Sequence, residues 1–177
     1  MTDDARIDAL KALIRDVPDF PKPGILFKDI TTLLKDPRGF KSAIDLFTAL
    51  VQDRRVDTVL AVESRGFILG SALADRLGTG FVPVRKPGKL PSKTVRLEYD
   101  LEYGKDCIEV HADAFRKGER VLVVDDVIAT GGTAWAAGEL ARQLGAEVAG
   151  YAFLVELSFL DGRKRLGGAD VMSLIRY

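Results

Sequence analysis

Asparagine is absent from this chain, and cysteine, histidine and tryptophan occur once each. Without asparagine there is no N-glycosylation acceptor. Cys107 by itself cannot build a disulfide framework, and Cys107 with His111 is too small a set for a zinc cluster. A buried thiol is the expected state of Cys107. Net charge is also missing: 26 Lys plus Arg balance 26 Asp plus Glu. No overall field therefore draws the chain to nucleic acid or a membrane, and any anion site must be local. No apolar run approaches the roughly 18 residues of a membrane span, and residues 1–16 lack the apolar core of a signal peptide. A soluble, cytoplasmic protein is expected. Repeats and low-complexity tracts are lacking too.

Two common phosphate motifs are missing as well. No G-x-x-x-x-G-K-[ST] string occurs, which excludes a P-loop. The nearest dinucleotide-type candidate, Gly78-Thr79-Gly80, reaches Pro83 where the third glycine should stand and precedes a strand, so it reads as a helix end.

What is present is a chain of 177 residues, 47% hydrophobic, enough for one substantial core and one domain spanning residues 1–177. Ile7, Leu10, Leu13 and Ile14 lie at helical spacing, and that helix should end near Val17 because Pro18, Pro21 and Pro23 follow. Residues 25–30 read as a short extended segment. Asp36-Pro37 then cap and start a helix through Phe40, Ile44, Phe47 and Val51. Val56 to Val62 is a buried strand leading through Glu63-Ser64-Arg65-Gly66 into a helix that ends at Gly78. Phe81 to Arg85 reads as a strand, though Pro83 argues for irregularity or an edge position. With strands at Val121 to Val124 and Val148 to Leu157, this alternation predicts an α/β fold: a parallel sheet flanked by helices.

Residues 121–133, VLVVDDVIATGGT, carry the most chemistry. Val121 to Val124 suit a strand buried on both faces, which puts Asp125 and Asp126 at its carboxyl end, the edge where open α/β sheets bind ligands. Ala129, Thr130, Gly131, Gly132 and Thr133 then open a helix carried by Ala136, Ala137, Leu140, Ala141 and Leu144. Free amides, a helix dipole and two hydroxyls converge there on an anion. Two carboxylates beside a phosphate cradle suit a polyol, whose vicinal hydroxyls they can accept. A ribose 5-phosphate unit satisfies both halves. A buried strand, an Asp-rich turn and a Thr-capped helix would give similar residues with no ligand.

From Val95 to Tyr103, apolar residues alternate with Arg96, Glu98, Asp100 and Glu102, the pattern of a half-buried antiparallel strand. Its lead-in, residues 85–93, holds four cations and two prolines. Taken alone this is a solvated hairpin; beside a phosphate loop it suits a mobile lid.

The whole thirteen-residue string resembles the phosphoribosyl-diphosphate (PRPP) signature of the type I phosphoribosyltransferases. Reading outward, FPKPGILFKDIT at 20–31, ESRGF at 63–67, VRKPGKLP at 84–91 and YDLEYGKD at 99–106 are similar, in that order, to the adenine phosphoribosyltransferases. The resemblance covers nearly the whole chain. It implies the single-domain type I fold, with an N-terminal helix and base-binding hood over residues 1–35 and a flexible β-hairpin flap over residues 86–106.

It also implies transfer of a 5-phosphoribosyl group from PRPP to adenine, giving AMP and diphosphate with Mg²⁺ bound mainly through PRPP and water, by a homodimer. Ala129, Thr130, Gly131, Gly132 and Thr133 would hold the 5-phosphate, and Asp125 with Asp126 would face the ribose. Arg65, Arg85, Lys89 and Tyr103 would serve the rest of PRPP, and the Glu63–Ser64 peptide lies where the family often has a cis bond. Phe27 and Leu157 would sandwich the base, with main chain near Leu26 and Lys28 reading its polar edge. Lys28 replaces an arginine often found there. Glu102 would be the catalytic group, exchanging a proton with the base. A phosphoribosyltransferase for another base, or a PRPP-sensing regulator of the same fold, would share much of this pattern. The regulator would need a DNA-reading module, for which the chain has no expected room and no basic face.

Overall fold

The computed structural model describes residues 2–101 and 104–177. The expected Glu102 and Tyr103 lie outside the described residues.

The chain opens with α1 (Asp3–Leu13), capped by the Thr2 side chain accepting from Ala5 N. This helix ends earlier than the proline run suggested. Ile14 is already extended, and β1 (Arg15–Pro18) pairs antiparallel with β2 (Leu26–Asp29), setting Val17 opposite Phe27. The ribbon wins because Val17 and Pro18 favour extended backbone. Then come α2 (Thr31–Lys35) and α3 (Pro37–Val51), whose Asp36 accepts from Gly39 N and whose Pro37 occupies the first turn, as the sequence indicates.

β3 (Thr58–Val62) is wholly buried and leads into α4 (Arg65–Leu77), which Gly78 ends in a left-handed conformation. β4 (Gly80–Val84) follows, then the antiparallel pair β5 (Thr94–Leu101) and β6 (Gly104–His111). Next are β7 (Arg120–Ile128), α5 (Gly132–Gln143), β8 (Glu147–Glu156), the short α6 (Gly162–Arg165) and β9 (Val171–Arg176). The main sheet is parallel, in the order β4-β3-β7-β8-β9. β4, with Pro83, is at its edge. β9 was not anticipated, because only a 3-10 turn (Ser158–Leu160) and the four-residue α6 stand between it and β8, and no long amphipathic helix announces another unit.

Period-two alternation along the central strands feeds two cores. Val59, Ala61, Leu122, Val124, Ala152 and Leu154 pack with α3 and α4, whereas Leu60, Val62, Val121, Val123, Tyr151 and Phe153 pack with α5. Each such side chain contributes roughly 1.5–3 kcal/mol by leaving water. The β5–β6 hairpin joins the second core through Tyr99, Ile108 and Val110. Its base is tied to the sheet where Arg85 and Glu109 exchange backbone hydrogen bonds. Cys107 in β6 is half-buried, not sequestered as expected, because its strand covers the domain at one side. Burial and the neighbouring Glu98 charge push its thiol up.

Candidate active site

The carboxyl ends of β3, β4, β7 and β8 surround a cavity of about 480 Å³. This is the edge where parallel sheets bind ligands, since the strand-to-helix loops diverge there. Leu26, Phe27 and Lys28 reach it from the β1–β2 ribbon, Arg65 from α4, Arg85 from the end of β4, and Leu157 from the end of β8. Asp125, Asp126, Ala129, Thr130 and Thr133 complete the expected set on this cavity. Gly131 and Gly132 line an adjoining hollow of about 190 Å³ with Ala129, Thr130 and Thr133. Lys89 lines neither and is exposed; its carbonyl accepts from the Arg85 guanidinium at 3.0 Å.

The two carboxylates are placed differently from the simple strand-end expectation. β7 continues through them to Ile128, with Asp125 opposite Phe153 and Val127 opposite Val155. Ladder pairing with β8 holds this backbone in the sheet beyond the apolar run. Asp126 is buried and accepts from Arg65 Nε at 2.5 Å. Burial, and the adjacent Asp126 charge, push the Asp125 carboxyl well above the usual carboxylate range, although Asp126 N donates to it at 2.8 Å. The pair is thus unequal: burial and a like charge disfavour the Asp125 anion, whereas Asp126 is matched by Arg65.

Close backbone packing shapes the phosphate-type loop. Gly131 has φ +80°, and a Cβ there would stand 2.4 Å from Gly162 O. α5 begins directly after it, so the loop amides and the helix N-terminus face the hollow. Gly66 is equally constrained, since a Cβ would meet Asp125 Oδ1 at 2.8 Å. This contact lets α4 abut β7 and brings Arg65 to Asp126.

At the base-side end, Phe20 packs edge-on against Phe27 with centroids 5.2 Å apart, and the Arg65 guanidinium lies 5.4 Å from the Phe27 centroid. The Lys28 ammonium pairs with Asp16 at 2.6 Å and lies over the Tyr177 ring, and the residue lines the cavity. On the cationic side, Glu63 accepts from Arg85 Nε and Lys86 N, each at 3.1 Å. Burial opposes the Glu63 charge, yet these bonds hold its carboxyl below the usual range. The Glu63–Ser64 peptide is cis, where the resemblance placed one.

Ile25, Lys86, Val127 and Leu160 also line the cavity and were not among the expected residues. Lys86 belongs to the cationic loop and could have been singled out by its charge. The other three are apolar and acquire a wall position only through packing. Among the described residues, no group of three or more His, Cys, Asp or Glu side chains is placed to hold a metal ion, and no helix is long and apolar enough to cross a membrane.

Residues 29–167 match the phosphoribosyl transferase domain family. Adenine phosphoribosyltransferase of Solibacter usitatus is 61% identical over 168 residues, covering 95% of this chain and 97% of that protein. The Thermotoga maritima enzyme of the same name is also 61% identical, with the same coverage. Among solved structures, adenine phosphoribosyltransferase from Thermoanaerobacter pseudethanolicus superposes with a TM-score of 0.95 at 52% identity, covering 97% of this chain and 99% of that one. The Saccharomyces cerevisiae enzyme, solved with an imino-altritol bisphosphate and adenine, gives 0.92 at 43% identity, with 97% and 99% covered. The chain that builds this loop of amides and paired carboxylates on one cavity therefore belongs to the type I phosphoribosyltransferases, in their adenine phosphoribosyltransferase branch.

Proposed function

We infer that this protein transfers the 5-phosphoribosyl group of PRPP to adenine, forming AMP and diphosphate in purine salvage. The observation that carries this reading is the continuity of one cavity from Phe27 and Leu157 to Asp126 and Thr133. A flat base and a phosphorylated sugar fit end to end in such a space. In this reading the Ala129 to Thr133 loop binds the 5-phosphate through amides and hydroxyls. Asp125 and Asp126 accept from the ribose hydroxyls, and Phe27 and Leu157 enclose adenine while main chain at Leu26 and Lys28 reads its edge.

Loss of diphosphate leaves positive charge at the ribose C1, by analogy with glycoside chemistry. Charge developing on the leaving group then governs the barrier, and Arg65 and Arg85 are the cavity's guanidinium groups suited to stabilise it. Lys89 and Tyr103 are assigned to PRPP by resemblance. So is Glu102, the proposed proton exchanger for the base. Closure of the hairpin, the proposed flap over residues 86–106, would exclude water that hydrolyses PRPP.

Mg²⁺ keeps most of its water and takes few protein ligands, so the carboxylates Asp125 and Asp126 on the cavity wall suit contact through water and PRPP oxygens. When bound, the ion supplies positive charge to the diphosphate. A cytoplasmic homodimer is part of the proposal; exposed Ile68 and Phe81 beside edge strand β4 offer apolar surface for a second copy.

The deciding assay compares turnover of adenine, hypoxanthine, guanine, xanthine and orotate with PRPP and Mg²⁺. Turnover of adenine is expected, and activity confined to any of the other bases would refute the assignment.

A further inference from the structure

Tyr99 is a buried tyrosine whose hydroxyl touches two polar side chains from different parts of the fold. It lies 3.0 Å from Thr133 Oγ1, at the start of α5, and 3.0 Å from Asp106 Oδ2, the residue opposite it across the β5–β6 ladder. Its ring also covers the phosphate-type loop, since a Cβ on Gly132 would sit 3.5 Å from Tyr99 Cδ2. Asp106 in turn pairs with Lys86 and accepts from Cys107 N at 2.8 Å. Burial opposes the Asp106 charge, but bonds from Lys86, Cys107 N and Tyr99 outweigh it and hold the carboxyl below the usual range. Burial pushes the Tyr99 phenol up to about 12, so it keeps its proton at neutral pH.

Each hydroxyl here has one proton to give. Asp106, ionised, can only accept. With no ligand, both contacts are hydrogen bonds only if Tyr99 donates to Asp106 and Thr133 donates to Tyr99. An anion in the phosphate loop claims the Thr133 proton for itself. The contact between the two hydroxyls then survives only if Tyr99 turns its proton toward Thr133 and gives up Asp106.

We propose that Tyr99 couples the 5-phosphate site to the hairpin: when the loop is filled, its hydroxyl turns from Asp106 to donate to Thr133 Oγ1, aims the Thr133 proton at the phosphate, and leaves the Asp106 carboxylate to Lys86 and Cys107 N. Donation into Thr133 polarises its O–H and strengthens the bond it makes. Occupancy of the phosphate loop is thereby coupled to the hairpin and to Lys86, a cation on the cavity wall. The proposal rests on the assignment of Thr133 to the 5-phosphate.

Ribose 5-phosphate binding is measured by calorimetry for the wild type, Tyr99→Phe, Thr133→Val and the double variant. Thr133→Val is expected to weaken binding by about three- to tenfold, the range for one neutral hydrogen bond, and Tyr99→Phe to strengthen it by a similar factor, because the bond to charged Asp106 that wild type gives up on binding is already absent. The double variant should bind no more weakly than Thr133→Val, because Tyr99 acts only through that hydroxyl. A Tyr99→Phe affinity equal to or weaker than wild type, or a Tyr99→Phe effect that persists in the double variant, overturns the proposal and leaves the phosphate site standing. An unchanged Thr133→Val affinity refutes the phosphate assignment together with it. Phenylalanine keeps the ring packing. A second measurement needs no variant: with ¹³C-labelled tyrosine, the Tyr99 Cζ resonance should move when ribose 5-phosphate saturates wild-type protein, and a stationary resonance contradicts the change of donor.

Discussion

Arg65 donates from Nε to the buried Asp126 carboxylate at 2.5 Å, joining the first turn of α4 to the far half of β7. One guanidinium thus neutralises the carboxylate assigned to the ribose while lying beside Phe27, assigned to the base. Substrate must compete for both groups. Asp126→Asn removes a charged acceptor and loosens Arg65, and a hydrogen bond to a charged group contributes about 1.5–3 kcal/mol. The KM for PRPP, or kcat/KM, should worsen on the order of ten- to a hundredfold. Steady-state kinetics matching wild type would remove Asp126 from the ribose site.

Glu102→Gln tests the proton-exchange role. It should lower kcat more than it raises the KM for PRPP, because the lost interaction belongs to the transition state. An unaltered kcat at saturating adenine and PRPP would make Glu102 a surface residue.

Gly131→Ala probes the loop backbone. The residue has φ +80°, and the added methyl would meet Gly162 O at 2.4 Å, so both the left-handed conformation, at roughly 1–2 kcal/mol, and the clash oppose it. A lowered Tm and a raised KM for PRPP are expected, with the KM for adenine nearly unchanged. Thermal denaturation and substrate titration check this, and wild-type values in both would show that the loop does not need its close approach to α6.

Asp29 predicts a pH dependence at the end of β2. Hydrogen bonds from Thr31 and Arg15 hold its carboxyl down from 3.8 to about 2. A depressed folded-state pKa contributes stability that is complete above the unfolded value and fades as pH falls through the folded one. The stability gap between wild type and Asp29→Asn should therefore be constant above pH 3.8 and shrink progressively as pH falls toward about 2. Chemical denaturation across that interval measures it; a gap that widens on acidification would reverse the sign.

Much of the fold could be read from local pattern. Buried runs, the Asp36-Pro37 start, the Gly78 stop and Pro83 at an edge all express short-range preferences of backbone and solvent. β1 and β9 escaped because each is stabilised mainly by a neighbour: β1 by β2, and β9 by β8. The Asp125–Asp126 pair was legible as chemistry, but its continuation within β7 depends on ladder partners in β8 that are distant in sequence.

By itself, the order of residues determined that a parallel α/β sheet would carry a carboxylate pair shortly before an amide-rich loop, since periodicity, glycine and hydroxyl placement act within a few neighbouring residues. Only the tertiary structure decided that Arg65 neutralises Asp126, that burial disfavours the Asp125 charge, and that Tyr99 stands between Thr133 and Asp106. Such relationships depend on burial and on angstrom-scale contacts between segments far apart in the chain, which no local pattern encodes.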